Sequence, residues 1–181
     1  MKEIRTERLL IRPFRLSDAE DAFEWRSDPE VNKFMPYPCD DSVEDLRERR
    51  GEWIEENDKS AIELGGKVIG DISLEWSEKD KAYEIGYNIN RSFWRNGYAT
   101  EAVRGLIDWA VKELSAHDFT AFYAKENGAS GRVLEKCGFV QEYTGQYSRD
   151  NGKIVFEALF VRLHKDKKRR TLCPPLEIVR R

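Results

Sequence analysis

A chain of 181 residues fits a single domain, and at that length roughly 70% of the surface exposed by the unfolded form can be buried. With 40% hydrophobic and 36% charged residues the composition is that of a globular protein with a heavily solvated surface, not of a disordered one, and a net charge of -3 selects no class of partner. The N-terminal MKEIRTERLLIRPF sets charges on both sides of a three-residue apolar run, and no later segment approaches membrane-spanning length, so neither a signal peptide nor a membrane helix is read and a cytoplasmic location is expected.

Cys39, Cys137 and Cys173 are odd in number, widely spaced and outside any C-x-x-C pattern, which argues against a disulfide framework and a zinc site and for reduced thiols. The two histidines, His117 and His164, have no metal-ligand neighbours, so metal-assisted hydrolysis and a Ser-His-Asp triad both lack parts and no metal is expected.

Leu9 to Phe14 reads as a first strand, and Ser17-Asp-Ala-Glu20 as a capping box opening a helix through Trp25. A second, highly charged helix starts at Ser42, with Val43, Leu46, Trp53 and Ile54 as its apolar contacts. Ser60 to Leu64 and Val68 to Trp76 flank Gly65-Gly66, the connection of a hairpin with a primed turn, and Ala82 to Ile89 follows as another strand. From Ala99, the positions Ala102, Val103, Leu106, Ile107, Ala110 and Leu114 recur at helical spacing, with Glu101, Arg104, Asp108 and Lys112 on the opposite side. Phe119 to Tyr123 is a short strand, Ser130 to Cys137 a short helix stopped by Gly138, and Gln141 to Arg149 with Lys153 to Leu163 a hairpin across Asp150-Asn-Gly152. The order is mixed α/β without repeats. Residues 1–163 form the expected domain. From His164 to Arg181, seven Lys/Arg stand against Asp166 and Glu177, a local balance of +5 that leaves -8 on the remainder. That tail reads as a solvated or packing arm, with nucleic-acid contact as the alternative.

The segment RNGYAT, Arg95 to Thr100, holds the strongest chemical signal. Asn-Gly usually marks a hairpin, but here it lies between a strand and an amphipathic helix. The backbone N–H groups of the loop are then the unsatisfied donors of a helix N-terminus, which favour anions. Gly97 permits close approach, and the small Ala99 and Thr100 leave room for a pyrophosphate. The segment is neither a Walker A loop nor G-x-G-x-x-G. Taken alone it is equally an ordinary turn.

Paired with 127-NGASGRVLEKCGF-139 one strand later, FWRNGYATEA resembles the acetyl-CoA site of the GNAT superfamily of N-acetyltransferases. TERLLIRPFRLSDAEDAFEW, VIGDISL and YEIGYNI are similar to its ribosomal-protein-alanine (RimJ/RimL-type) branch, and the likeness spans about Thr6 to Leu163. It implies an α+β fold with a mostly antiparallel central sheet, flanked by helices, whose fourth and fifth strands (Ala82 to Ile89 and Phe119 to Tyr123) splay to admit acetyl-CoA. The pantetheine arm would run beside Tyr87, Asn88 and Ile89, and Arg95, Asn96, Gly97, Tyr98, Ala99 and Thr100 would hold the pyrophosphate. Asn127 and Ser130 match the family's N-x-x-S pair, though a turn Asn and a helix-cap Ser account for them equally. Two positions depart from the broader pattern: Trp94 stands where many relatives have Gln or Arg, and Leu134 where many have a tyrosine that protonates the departing thiolate. Ser130 is the substitute candidate for that acid.

The implied reaction is direct attack of an amine on the thioester, with the oxyanion steadied by a backbone N–H of the fourth strand. Deprotonating a lysine at pH of about 7.4 costs roughly 4 kcal/mol, whereas an α-amine costs below about 1 kcal/mol, so an α-amine demands less of the base. Glu84, on the same side of its strand as Gly86 and Asn88, is the candidate base, directly or through water. A protein N-terminal amine is the first-choice acceptor; an antibiotic, a polyamine, a non-catalytic CoA sensor and an RNA-associated module are the alternatives. Asp28, Asn32, Phe34, Tyr37 and Tyr147 are the expected acceptor contacts, and the molecule is read as a monomer or homodimer. The five tryptophans and Cys137 read as packing residues.

Overall fold

The computed structural model describes residues 2–48 and 59–165. Eight strands form one sheet: β1 (Ile4–Arg5), β2 (Leu10–Pro13), β3 (Lys59–Leu64), β4 (Lys67–Ser77), β5 (Ala82–Ile89), β6 (Asp118–Ala124), β7 (Val140–Arg149) and β8 (Ile154–His164), in the spatial order β1-β2-β3-β4-β5-β6-β8-β7. Every pairing is antiparallel except β5 with β6. The helices are α1 (Ala19–Arg26), α2 (Pro29–Asn32), α3 (residues 43–48), α4 (Tyr98–Glu113) and α5 (Gly128–Lys136). This is the mixed, mostly antiparallel sheet with flanking helices expected from the sequence.

Alternation along the strands feeds two cores. On one face, Ile11, Ile62, Ile85 and Ile89 pack against Ala102, Val103, Leu106, Ile107 and Ala110 of α4 and Leu134 of α5. On the other, Ala61 and Val68 pack against Phe14, Ala22, Trp25, Val31 and Leu46, beneath α1 to α3. Gly65 and Gly66 both take positive φ, as a primed hairpin turn requires, and Asp150, Asn151 and Gly152 do the same between β7 and β8.

One local reading is corrected. The cap at the entrance to α1 is not Ser17. A 3-10 turn over Leu16–Asp18 precedes the helix, and the Asp18 carboxylate accepts the Arg15 N–H at 2.7 Å. Asp18 is drawn inward because Arg12 meets it with two bonds, 2.8 and 3.0 Å, while donating through Nε to Glu63 at 2.7 Å. The hydrogen bonds raise the Arg12 pKa further, so the guanidinium stays charged. The strand β1 and the short helix α2 are too brief to show a periodicity and were not anticipated. Trp53, Ile54, Cys173 and residues 166–181 of the basic tail lie outside the described residues. The end of β8 is tied down where the Lys165 N–H bonds the His117 carbonyl at 2.7 Å. Among the described residues no helix is long and apolar enough to cross a membrane.

Asp18→Ala leaves the Arg12 guanidinium, 3% exposed, without its bidentate partner. Urea unfolding is expected to show a loss of about 1–3 kcal/mol, the cost of leaving buried N–H donors unsatisfied while the Glu63 pair remains.

Candidate active site

The site begins where the sheet fails to close. β5 and β6 share two pairs, Tyr83 with Phe119 and Glu84 with Thr120, and from Ile85 onward β5 has no strand on that side among the described residues. Helix α5 sets the far wall of the opening. Its cap is Asn127, whose Oδ1 accepts the Ser130 N–H at 3.2 Å, and it lies hard against β6, since a Cβ on Gly131 would stand 2.8 Å from the Tyr123 hydroxyl. From β5, the Tyr87 phenol reaches across to Ser130, 2.8 Å from its Oγ and donating to its carbonyl at 3.2 Å. Burial raises the Tyr87 pKa, so the phenol stays neutral and remains a donor.

At the C-terminal end of β5, the Trp94 indole N–H donates to the Ile89 carbonyl at 2.7 Å, which gives the unusual tryptophan a structural task. A 3-10 turn over Arg91–Phe93, capped by Asn90, leads into the loop, where Arg95 (φ 64°) and Gly97 (φ 82°) take left-handed conformations and Asn96 donates to the Phe93 and Trp94 carbonyls. Gly97 is the N-cap of α4, and its carbonyl accepts the Glu101 N–H at 3.0 Å. The N–H groups of Tyr98, Ala99 and Thr100 precede the first intrahelical bond, and they form a donor cluster at the positive end of a 16-residue helix.

Arg8 was missed in the sequence. Its guanidinium donates to the Asn96 carbonyl at 3.1 Å and to Glu101 at 2.7 Å, and lies 4.5 Å over the Tyr98 ring. It therefore fixes the loop from the N-terminal segment and adds a cation beside it; being some 90 positions away, it carries no local signal. Burial pushes the Glu101 carboxyl up, but hydrogen bonds from Thr6 and Arg8 outweigh it and hold the group below the usual carboxylate range.

The opposite face of β5 carries Glu84. Burial raises its pKa, as do the charges of Glu75, its cross-strand partner, and Asp80. Glu84 lines a cavity of about 10 Å³ with Asp80, Thr120, Ala121, Glu142, Tyr143, Phe160 and Val161, a volume near that of one water. The Thr120 hydroxyl is buried and makes no hydrogen bond among the described residues, whereas Glu142 is held by Arg162 and Asp80 by Ser77.

The expected acceptor contacts divide. Phe34 and Tyr147 come together through a 2.6 Å bond from the Tyr147 hydroxyl to the Phe34 carbonyl. Tyr37 accepts from the Asn88 amide at 2.7 Å, and burial moves its pKa up to about 12, so the Asn88 side chain faces away from the α5 wall. Asp28 caps α2 and pairs with Arg91 at 2.8 Å. Asn32 is buried and directs its amide to the carbonyls of Trp25, Arg26 and Asp28, which makes it a joint between α1 and α2 rather than a surface for a ligand. Burial raises the Cys137 thiol above its ordinary pKa, as befits a packing residue.

Among the described residues, a strand edge without a partner, a helix N-terminus with unpaired donors and a hydroxyl pair across the opening form a set suited to an extended arm ending in a pyrophosphate. The model of the Acetyltransferase (GNAT) domain matches residues 8–140. The uncharacterized N-acetyltransferase YnaD of Bacillus subtilis is 31% identical over 77% of this chain and 83% of its own length. A crystal structure of a GNAT-family acetyltransferase from Bacillus anthracis superimposes with a TM-score of 0.81 at 29% identity, covering 90% of this chain and 98% of the other. The RimL ribosomal L7/L12 α-N-protein acetyltransferase, in complex with coenzyme A, has a TM-score of 0.77 at 17% identity, covering 91% and 99%, a likeness of fold.

At Gly97 an added Cβ would meet nothing closer than 3.6 Å, so the protein itself leaves room there. Gly97→Ala is expected to weaken CoA binding about tenfold or more by calorimetry, with only about 1–2 kcal/mol lost from left-handed backbone strain in urea unfolding. An unchanged affinity would remove the loop from the binding site.

Proposed function

The chain belongs to the GNAT family and is an acetyl-CoA-dependent N-acetyltransferase, and from that premise we propose that it acetylates a protein N-terminal α-amine, with Glu84 as base and Ser130 as the group that serves the departing thiolate. The observation that carries this reading is the two-pair limit on β5 and β6, which leaves an opening with Ser130 on one wall and Glu84 on the reverse face of the same strand.

In the proposed course, Tyr87, Asn88 and Ile89 flank the pantetheine arm, and the loop from Arg95 to Thr100 binds the pyrophosphate. A backbone N–H of β5 receives the oxygen that becomes negative when the amine nitrogen attacks the thioester carbon. Glu84 takes the amine proton through one water, which would also satisfy the Thr120 hydroxyl. As the C–S bond breaks, the Ser130 hydroxyl delivers a proton to sulfur and is replenished from solvent. Tyr87 is a positioning residue: its hydroxyl, 2.8 Å from Ser130 Oγ and bonded to the Ser130 carbonyl, holds the serine hydroxyl at the opening. Leu134, in the place of the family tyrosine, is buried in the core, and a phenol instead reaches Ser130 from β5.

Support for an α-amine comes from its small deprotonation cost, which suits a carboxylate whose pKa is raised only by burial and like charges. The α-N-protein substrate named for the structurally similar RimL points the same way. Thiol release across N-terminal peptides, spermine and an aminoglycoside tests the reading; the peptides are expected to be used with the highest kcat/KM, and a preference for spermine or the aminoglycoside would reject it.

Glu84→Gln is expected to lower kcat by about 100-fold or more and to remove the acid limb of the pH profile, while CoA affinity stays within about twofold. Because the folded carboxyl titrates above its unfolded range, ionisation penalises folding once pH exceeds that range. The glutamine variant should therefore match wild type near pH of about 4 and melt at or above it near about pH 8. For Tyr87→Phe, kcat should fall about tenfold with little change in the acetyl-CoA KM. Adding it to Ser130→Ala should lower kcat no further, since the two act as a unit.

A further inference from the structure

Beside Glu84 the open face of the sheet carries six aromatic side chains in unbroken contact. Phe34 meets Phe156 edge-on at 6.1 Å, Phe156 stacks on Tyr147 at 5.0 Å, Tyr147 meets Phe122 edge-on at 5.3 Å, Phe122 stacks on Phe160 at 5.4 Å, and Phe160 stacks on Tyr143 at 4.5 Å. Strand register places five of them on one face: Tyr143 is opposite Phe160, Tyr147 opposite Phe156, and Phe122 opposite Phe160. That face is also the one of Glu84, because Thr120, two residues before Phe122, is its partner across β5 and β6.

Cross-strand aromatic pairs alone stabilise a hairpin. Three further features argue for more. None of the six is fully buried, and Tyr143 is 41% exposed, so much ring surface remains open beside the site. Gly145, between the two tyrosines, brings β7 so near that a Cβ there would stand 2.8 Å from the Phe160 ring, which keeps that ring low against the sheet. Tyr143 and Phe160 also line the cavity that holds Glu84, so the row of rings and the candidate base share a boundary.

We propose that this aromatic wall is the acceptor-binding surface, and that it selects an α-amine whose own or adjacent residue carries an aromatic ring. A ring resting on Tyr143, Phe160 and Phe122 brings an amine a few bonds away to the Glu84 cavity, at the narrow end of the opening. The carboxylates of Glu84, Asp80 and Glu142 lining that cavity favour the ammonium form on arrival, and Glu84 then takes the proton. A polyamine or an aminoglycoside has no flat apolar face to offer the wall. The inference rests on the α-amine reading and deepens it from reaction to acceptor class.

The test compares kcat/KM for Phe-Ala-Ala and Ala-Ala-Ala peptides, and for tyrosinamide and alaninamide, with CoA binding followed separately by calorimetry. The peptide pair and the amide pair separate a protein N-terminus from a free aromatic amine as the source of the ring. Wild type is expected to favour the aromatic member of at least one pair by about tenfold, the size of one good aromatic contact. Tyr143→Ser, on an exposed edge strand where folding is not at stake, should cut that ratio severalfold, and Phe160→Leu should do so as well. Equal use of aromatic and aliphatic amines by a protein that binds CoA and transfers acetyl groups would overturn the aromatic wall and leave the acetyltransferase intact. Transfer to spermine alone would overturn the α-amine reading together with this inference, and a ratio untouched by both substitutions would overturn the assignment of these rings.

Discussion

A strand inside a sheet has hydrogen-bonding groups on both edges, and each must find a partner or meet solvent. In β5 one edge is fully matched to β4, from Gly70 with Ile89 to Ser77 with Ala82, while the other matches β6 at Tyr83 and Glu84 and then stops. The rest of the structure is organised around that interruption. Helix α5 packs against β6 beside the opening, Tyr87 crosses the opening to Ser130, and the loop after β5 leads into the N-terminus of α4. The interruption costs a short row of sheet bonds. On the proposed reading, a cosubstrate with an amide-bearing arm restores them.

Much of this was legible in the sequence because it is written in local chemistry. The glycine pair at 65–66, Asp-Asn-Gly at 150–152 and the helical spacing after Ala99 depend on residues within one or two turns of each other, and each appears where it was expected. Local steric rules suffice for such features. Gly97 belongs with them: its positive φ is a property of a strand meeting a helix within a few residues.

What escaped the reading depends on distant pairs. Arg8 acquires its role only when β1 and β2 bring it beside Asn96 and Glu101. Asp18 rather than Ser17 serves the helix entrance because Arg12, from β2, holds its carboxylate in place to accept the Arg15 N–H as well. Asn32, chosen as an acceptor contact, is taken up by three carbonyls that converge on it only after α1 and α2 fold together. The aromatic row needed the register of three strands: Tyr143 and Tyr147, like Phe156 and Phe160, are four residues apart, a spacing that shows a common face but says nothing of which rings will touch.

The Trp94 bond to the Ile89 carbonyl also closes the open edge of β5 at a definite point. Between the last shared pair at Glu84 and that closure lie five residues, Ile85 to Ile89, about 16 Å of extended backbone. On the proposed reading this stretch works as a ruler. One end leads to the donor cluster at the head of α4, and Tyr87, at its middle, reaches Ser130, so a carrier whose arm is too short is anchored by its phosphates with its thioester out of reach. Selection of the acyl donor would then lie in a length of strand rather than in any single side chain.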